Sequence, residues 1–299
     1  MKEKILDNTD IHYWTNDGTN SDICIFFSHG LTADHRCFRK QEEYFEDKYK
    51  IINWDIPMHG KSENSDFISY EECAKLMKKI IDKENVKKVL LIGLSLGGYP
   101  SQMFAHLYPE NTAGFIAIDT TPFGKQYYSL SDMFWLKQVE WMTKSIPIKL
   151  LKKSMAKSVS KTKYSYELMI EMLDTVSKDK IAKQMRIGYS KFVDENQDMK
   201  LDIPVIILLG EFDRTGKVKQ YCNAWHKNTN YPLNIIKNAA HFSNSDNPED
   251  VNKFIDCFIR ELHPKSVVDE KVSTEVERND IGDNKSIKSN QKNKEETER

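Results

Sequence analysis

A serine hydroxyl is a poor nucleophile at neutral pH until an adjacent base takes its proton. An imidazole base in turn needs a carboxylate that fixes its tautomer and stabilises its charged form. Gly93-Leu94-Ser95-Leu96-Gly97, followed by Gly98, is a peptide that can present such a serine. An apolar run at 88–93 precedes it and a helical pattern at 96–108 follows, which reads as a sharp strand-to-helix turn. Gly93 and Gly97 remove side chains that would collide in that turn, and Ser95 is lifted above the sheet edge over a helix N-terminus that favours negative charge. Pro100 is compatible with this reading, because N–H groups in a helix's first turn lack intrahelical partners.

The base is expected downstream, near the end of the folded part. His241, in Asn238-Ala239-Ala240-His241-Phe242, follows the last apolar run and precedes the last helical pattern. His12, His106, His226 and His263 sit in or beside regular elements, and His35 opens a helix. For the acid, Asp213 follows the apolar run 204–209 in Gly210-Glu211-Phe212-Asp213-Arg214; Asp119, at the end of an earlier run, is the rival, and Glu211 a weaker neighbour. The order serine, acid, histidine, with the acid one strand before the histidine, favours Asp213. Acyl transfer also needs donors where an oxyanion forms. The Leu96 N–H is one, and the Leu31 N–H in Ser28-His29-Gly30-Leu31-Thr32 is the second, with Gly30 letting the backbone curve inward.

Elements able to position these residues are visible as continuous Val/Ile/Leu/Phe runs at 22–28, 50–55, 88–93, 114–119, 204–209 and 233–237, the composition of strands buried on both faces. Residues 11–14 read as an edge strand. Helical patterns lie at 36–47, 70–83, 96–108, 217–226 and 248–263. Alternation of strand and helix implies a mostly parallel sheet with helices on both faces. Between 123 and 200 no strand-like run occurs. The expected organisation is an α/β core of residues 1–122 and 201–263, a helical cap of residues 123–200 over the carboxyl ends of the strands, and a disordered tail of residues 264–299. The tail has no aromatic residue and mixes charges with Ser, Asn and Gln, so it cannot bury enough apolar surface to offset its ordering entropy.

The 299 residues carry 44 Lys+Arg and 45 Asp+Glu, a formal charge of −1 that argues against bulk nucleic-acid binding. The mean hydropathy of −0.62 fits the polar tail. No run approaches the roughly 20 apolar residues of a membrane-spanning helix, and the polar N-terminus lacks a signal peptide's apolar core. Cys24, Cys37, Cys73, Cys222 and Cys257 are scattered, without a Cys-x-x-Cys pair. They read as small buried hydrophobes in a reducing, cytoplasmic setting, with no zinc site and no disulfide framework.

With Ser95, Asp213, His241 and the His29-Gly30 loop in this order, the sequence resembles the α/β-hydrolase superfamily over about residues 10–262. Asp55-Ile56-Pro57-Met58-His59-Gly60-Lys61-Ser62 is similar to the turn after the family's fourth strand, with Met58 where the family usually has glycine and His59 in a structural role. The resemblance implies an eight-stranded, mostly parallel sheet, a helical cap, and neither metal nor organic cofactor. Serine rather than aspartate at the nucleophile position argues against the dehalogenase and epoxide hydrolase branches.

Phe123, Tyr127, Tyr128, Phe134, Trp135 and Trp141 form an aromatic group in the cap, of which Phe123, Tyr127, Trp135 and Trp141 are candidate substrate-pocket residues. Ile148, Leu151, Met155 and Val159 recur at helical spacing among Lys149, Lys152, Lys153, Lys157, Lys161 and Lys163, a pattern suited either to a solvated cap face or to weak contact with an anionic membrane surface or acidic substrate. The expected activity is hydrolysis of a carboxylic ester of a small or lipid-like substrate through an acyl-enzyme. Acyl transfer, C–C or thioester hydrolysis on the same residues, and a non-catalytic ligand-binding protein of the same fold remain alternatives, and the oligomeric state is left open.

Overall fold

The computed structural model describes residues 1–18, 23–62, 66–67, 69–136, 138 and 145–262. Met1–Asp256 form one compact unit; Cys257–Arg299 form a second, of which residues 257–262, the end of the last helix, are described. The expected tail and His263 lie outside the described residues.

Eight strands form one sheet: β1 (Lys2–Ile5), β2 (His12–Thr15), β3 (Cys24–Ser28), β4 (Lys50–Trp54), β5 (Val89–Leu94), β6 (Thr112–Ile118), β7 (Val205–Gly210) and β8 (Leu233–Ile236), in the order β1-β2-β4-β3-β5-β6-β7-β8. β2 pairs antiparallel with β1 and β4, and every pairing from β4 to β8 is parallel. The central strands β3, β5 and β7 are buried along their whole length, as their unbroken apolar sequences require. β1 was not among the expected runs. Its sequence Lys-Glu-Lys-Ile is exposed throughout, and its lysines suit an edge that must not pair further.

Helices α1 (Arg39–Phe45), α2 (Tyr70–Lys83), α3 (Gly98–Leu107), α8 (Val218–Thr229), α9 (Ser243–Asp246) and α10 (Pro248–Leu262) lie between or after the strands. Ser69 caps α2 by accepting the Glu72 N–H at 2.9 Å, and Tyr70, Cys73, Ala74, Met77, Ile80 and Ile81 form its buried face. Between β6 and β7 the described residues hold only helices: α4 (Leu130–Leu136), α5 (Ile148–Val159), α6 (Lys163–Asp174) and α7 (Lys178–Glu195). This segment is tied to the rest of the unit at several points. The Glu195 carboxylate accepts the Tyr70 and Glu71 N–H groups at the start of α2, Tyr70 donates its hydroxyl to the Gly188 carbonyl at 2.9 Å, and Gln184 donates to the Met58 carbonyl at 2.7 Å. Met58 itself sits at φ +70°, so the turn keeps the left-handed conformation that glycine adopts most easily, with a methionine in its place.

At the end of β5 the chain passes through a 3₁₀ turn, Ser95–Gly97, directly into α3. The turn is so close to β3 that a methyl group on Gly97 would run into the Ser28 carbonyl. Gly30, on the neighbouring loop, has room: a methyl there would meet the Ser95 Cβ at 3.5 Å, an ordinary contact. Gly97→Ala is therefore expected to lower stability by about 3 kcal/mol or to abolish folding, as overpacking against backbone does. Gly30→Ala should stay within about 1 kcal/mol of the parent in denaturant unfolding. Equal effects of the two would contradict this account of the turn.

Candidate active site

Four strand ends converge on one place. Ser95 follows β5, Asp213 follows β7, His241 follows β8, and the His29–Thr32 loop follows β3. Because these strands run parallel, their carboxyl ends all open on the same side of the sheet. Ser95 has φ +49°, a left-handed conformation that is strained for a residue with a side chain. Its carbonyl is held by the Thr120 hydroxyl at 2.6 Å, and its Oγ lies 2.8 Å from His241 Nε2. His241 Nδ1 lies 2.8 Å from Asp213 Oδ2, and Asp213 Oδ1 accepts the Thr215 N–H at 2.8 Å. A carboxylate only accepts, so Nδ1 carries the proton and donates it to Asp213. That leaves Nε2 with a lone pair toward the serine hydroxyl, the arrangement in which an imidazole can take the hydroxyl proton.

Burial pulls the His241 pKa down, but the charge and hydrogen bond of Asp213, with a smaller contribution from Asp119, outweigh it and leave it above the usual 6.5. Asp119 is not the partner of His241. It is fully buried, with φ +46°, and accepts the Gly210 N–H at 2.7 Å and the Ser243 N–H at 3.1 Å. It thus joins the end of β7 to the segment that follows His241. Burial, with the neighbouring Asp213 charge, pushes its pKa up to about 7. Glu211 faces elsewhere, pairing with Lys237 and the Asn238 N–H.

The Leu31 amide donates to no group among the described residues, and the Leu96 amide lies in the first turn after Ser95, where helix N–H groups lack partners. The loop bearing Leu31 is fixed from behind by His29. The buried ring accepts the Ile56 N–H at Nε2 and donates from Nδ1 to the Gly30 carbonyl, which requires the neutral form; burial lowers its pKa accordingly. His59, also buried, donates to the Pro57 carbonyl, and burial beside His29 brings its pKa down to about 3.

Two compartments flank Ser95 and His241. The larger, about 170 Å³, is walled by Met155 and Val159 of α5, Met169 of α6, Met185 of α7, and Phe242. The smaller, about 70 Å³, is lined by Tyr70, Tyr99, Thr120, Thr121 and Tyr189. Of the expected aromatic pocket residues, the described ones line neither compartment. Phe123 packs into a ring cluster with Tyr70, Tyr99 and Phe192 instead, at centroid distances of 5.4–6.0 Å. Tyr127 is half-buried and lines neither compartment, Trp135 is 62% exposed against Phe134, and Trp141 lies outside the described residues. The apolar stripe of α5 turns inward, with Leu151 buried and Met155 and Val159 on the chamber, while Lys149, Lys153 and Lys157 face outward. Met169, Met185, Tyr189 and Thr215 were not anticipated; helical periodicity in α6 and α7 marks their buried faces but not which residues reach a cavity.

Asp34, His35 and Asp55 lie close enough together to resemble metal ligands. The two carboxylates are already engaged. Asp34 accepts from the Arg36 guanidinium at 2.6 and 2.9 Å, and Asp55 accepts from His35 Nδ1, the His35 N–H and the Lys61 N–H. The cluster therefore reads as a structural ion-pair network.

A family model described as alpha/beta hydrolase fold matches residues 24–248. The chain belongs to the alpha/beta hydrolase fold family. It is 25% identical over 267 residues to the uncharacterized hydrolase YugF of Bacillus subtilis (strain 168), a match covering 85% of this chain and 96% of that protein. It is 22% identical over 240 residues to the 2-hydroxy-6-oxononadienedioate/2-hydroxy-6-oxononatrienedioate hydrolase of Klebsiella pneumoniae, covering 77% and 83% of the two chains. A thermophilic esterase from Thermogutta terrifontis superposes with a TM-score of 0.69 at 20% identity, over 88% of this chain and all of that one. The protein is thus an enzyme of the alpha/beta hydrolase kind. Among the described residues no helix is long and apolar enough to cross a membrane.

The His241 environment makes a prediction that needs no substrate. In the wild type its imidazole should titrate above 6.5 by NMR, because the carboxylates stabilise the charged form. In Asp213→Asn burial acts with less opposition, so the value should fall below 6.5. A titration unchanged by the substitution would show that Asp213 does not set the charge of the ring.

Proposed function

We propose that this protein is a serine hydrolase that cleaves carboxylic esters bearing a short apolar acyl group. Ser95 Oγ attacks the ester carbonyl as His241 Nε2 takes its proton. The tetrahedral oxyanion is met by the Leu31 and Leu96 N–H groups. As the C–O bond breaks, His241 returns the proton to the departing alcohol, leaving the acyl group on Ser95. Water, activated by the same imidazole, then attacks the acyl carbon and releases the acid and the free serine. Asp213 holds the tautomer and stabilises the imidazolium in both halves. The observation that carries this reading is the continuous pair of 2.8 Å contacts, Ser95 to His241 and His241 to Asp213, at the mouth of an apolar chamber.

The chamber's size supports the substrate class. About 170 Å³ is close to the volume of an apolar protein cavity of about 150 Å³ that takes up benzene, so an acyl group of about six carbons fills it. Methionine walls suit varied short chains, since the unbranched thioether adapts its shape. The smaller compartment, with its tyrosine and threonine residues, suits a compact alcohol.

Turnover of p-nitrophenyl esters from C2 to C16 tests this. The expected profile peaks near C4–C6, with kcat/KM at C12 and beyond at least tenfold lower. Ser95→Ala should lose about 10³-fold or more of the activity. Turnover that survives Ser95→Ala would end the serine mechanism. A rise toward C16 that disappears in Ser95→Ala would keep the mechanism and reject the short acyl group.

A further inference from the structure

The Asp246 carboxylate is buried, 8% exposed, and among the described residues no cation pairs with it. It is instead ringed by neutral donors from two distant parts of the chain. Oδ1 accepts the Lys161 N–H at 2.9 Å, the Thr162 N–H at 2.8 Å and the Thr162 hydroxyl at 3.1 Å. Oδ2 accepts the Ala240 N–H at 2.9 Å and shares the Lys161 N–H at 2.9 Å. Lys161 and Thr162 form the corner between α5 and α6, and Ala240 immediately precedes His241. A fourth link lies beside them: the Phe242 N–H donates to the Val159 carbonyl at 2.8 Å. The helical corner that supplies Met155, Val159 and Met169 to the chamber wall therefore grips the chain on both sides of His241.

We propose that Asp246 is a positioning residue for His241, which makes the placement of the imidazole depend on the seating of the α5–α6 corner. The residue type follows from its partners. Both oxygens face N–H donors at once, which a carboxylate satisfies because it only accepts. An asparagine presents one acceptor and one NH2 group: with its oxygen in the Oδ2 place it keeps the Ala240 and Lys161 amides but loses both Thr162 donors, and with its oxygen in the Oδ1 place it keeps the corner but loses the Ala240 amide. A buried donor left without an acceptor costs about 1–3 kcal/mol, and the arm that is lost is one of the two that hold the corner to the histidine loop. Asp119 anchors the same loop from the sheet side through the Ser243 N–H. His241 thus hangs between a carboxylate from the sheet and one bound to the corner. A substrate that fills the chamber presses on Met155, Val159 and Met169, and so bears on the same corner.

The proposal rests on His241 being the base, and its test has one arm that needs no turnover. In Asp246→Asn, NMR titration should move the His241 pKa back toward 6.5, because a looser loop weakens the pairing with Asp213 and admits water. The Ala240 amide should also exchange with solvent at least tenfold faster. In the second arm, kcat for p-nitrophenyl butyrate should fall about tenfold or more while KM changes less than threefold. Thr162→Val, which removes the hydroxyl arm and the cap on the Ser165 N–H but leaves the Lys161, Thr162 and Ala240 amide arms, should change kcat less than threefold, and if Asp246→Asn folds poorly its His241 titration should move in the same direction by a smaller step. Unchanged His241 titration and unchanged kcat, with only a lower melting temperature, would overturn the proposal and leave Asp246 a simple staple. A rise in KM alone would also overturn it, since the corner would then act on substrate and not on the base. If wild-type turnover proves independent of Ser95, the proposed reaction fails, while the titration and exchange arm still decides whether the corner holds His241.

Discussion

The left-handed backbone of Ser95 at the end of β5 is the constraint on which the remaining geometry depends. A residue with a side chain loses about 1–2 kcal/mol there relative to an ordinary helical conformation. The surroundings hold it in that state. β5 is buried between β3 and β6, the Thr120 hydroxyl grips the Ser95 carbonyl, and Gly97 lets the turn press against β3 with no side chain between them. The result is a hydroxyl raised off the sheet at the start of α3, where backbone amides point outward. Relaxing that turn would lower Ser95 into the sheet and separate its Oγ from His241 Nε2. It would also disturb the neighbouring Leu31 loop, because the Gly30 backbone lies against Ser95.

Around His241 the protein arranges carboxylates with separate tasks. Asp213 faces Nδ1 and, with its charge, keeps the imidazole pKa above 6.5 despite burial. Asp119 accepts the Gly210 and Ser243 backbone amides, joining the end of β7 to the residues after His241. Asp246 binds the amide before His241. The loop is thus fixed on both sides of the histidine by acceptors that do not touch the ring, and only one carboxylate meets the imidazole itself. Asp119 also adds a negative field that favours the imidazolium at a distance. A proton acceptor in this setting is oriented by backbone contacts and tuned by charge, two functions that a single acid would have to combine.

The sequence made some of this legible and hid the rest for physical reasons. Ser95, Asp213 and His241 could be recognised because each lies just past a continuous apolar run, and parallel strands bring all such points to one edge. The turn through Met58 kept its left-handed conformation despite the missing glycine, since burial and the Ser62 and Gln184 hydrogen bonds hold it. β1 escaped notice because Lys-Glu-Lys-Ile pairs through its backbone and buries no side chain. Composition drew attention to Phe123 and Trp135 as pocket residues, yet residue type does not fix the direction in which a side chain points. Phe123 fell to the aromatic core and Trp135 to the surface, whereas the methionines of α5, α6 and α7 reached the chamber. Asp246 sits in the polar stretch Ser-Asn-Ser-Asp and carries no local signal; only the approach of the α5–α6 corner, about eighty residues earlier in the chain, gives it partners.

The central claim is that one serine, activated by one histidine, is the nucleophile. Reaction of the wild-type protein with a fluorophosphonate followed by peptide mass mapping tests it most directly. The account predicts one adduct per chain, on Ser95, formed at least a hundredfold more slowly in His241→Ala. An unmodified Ser95 under conditions that label a control serine hydrolase, or equal labelling of the His241→Ala variant, would contradict it.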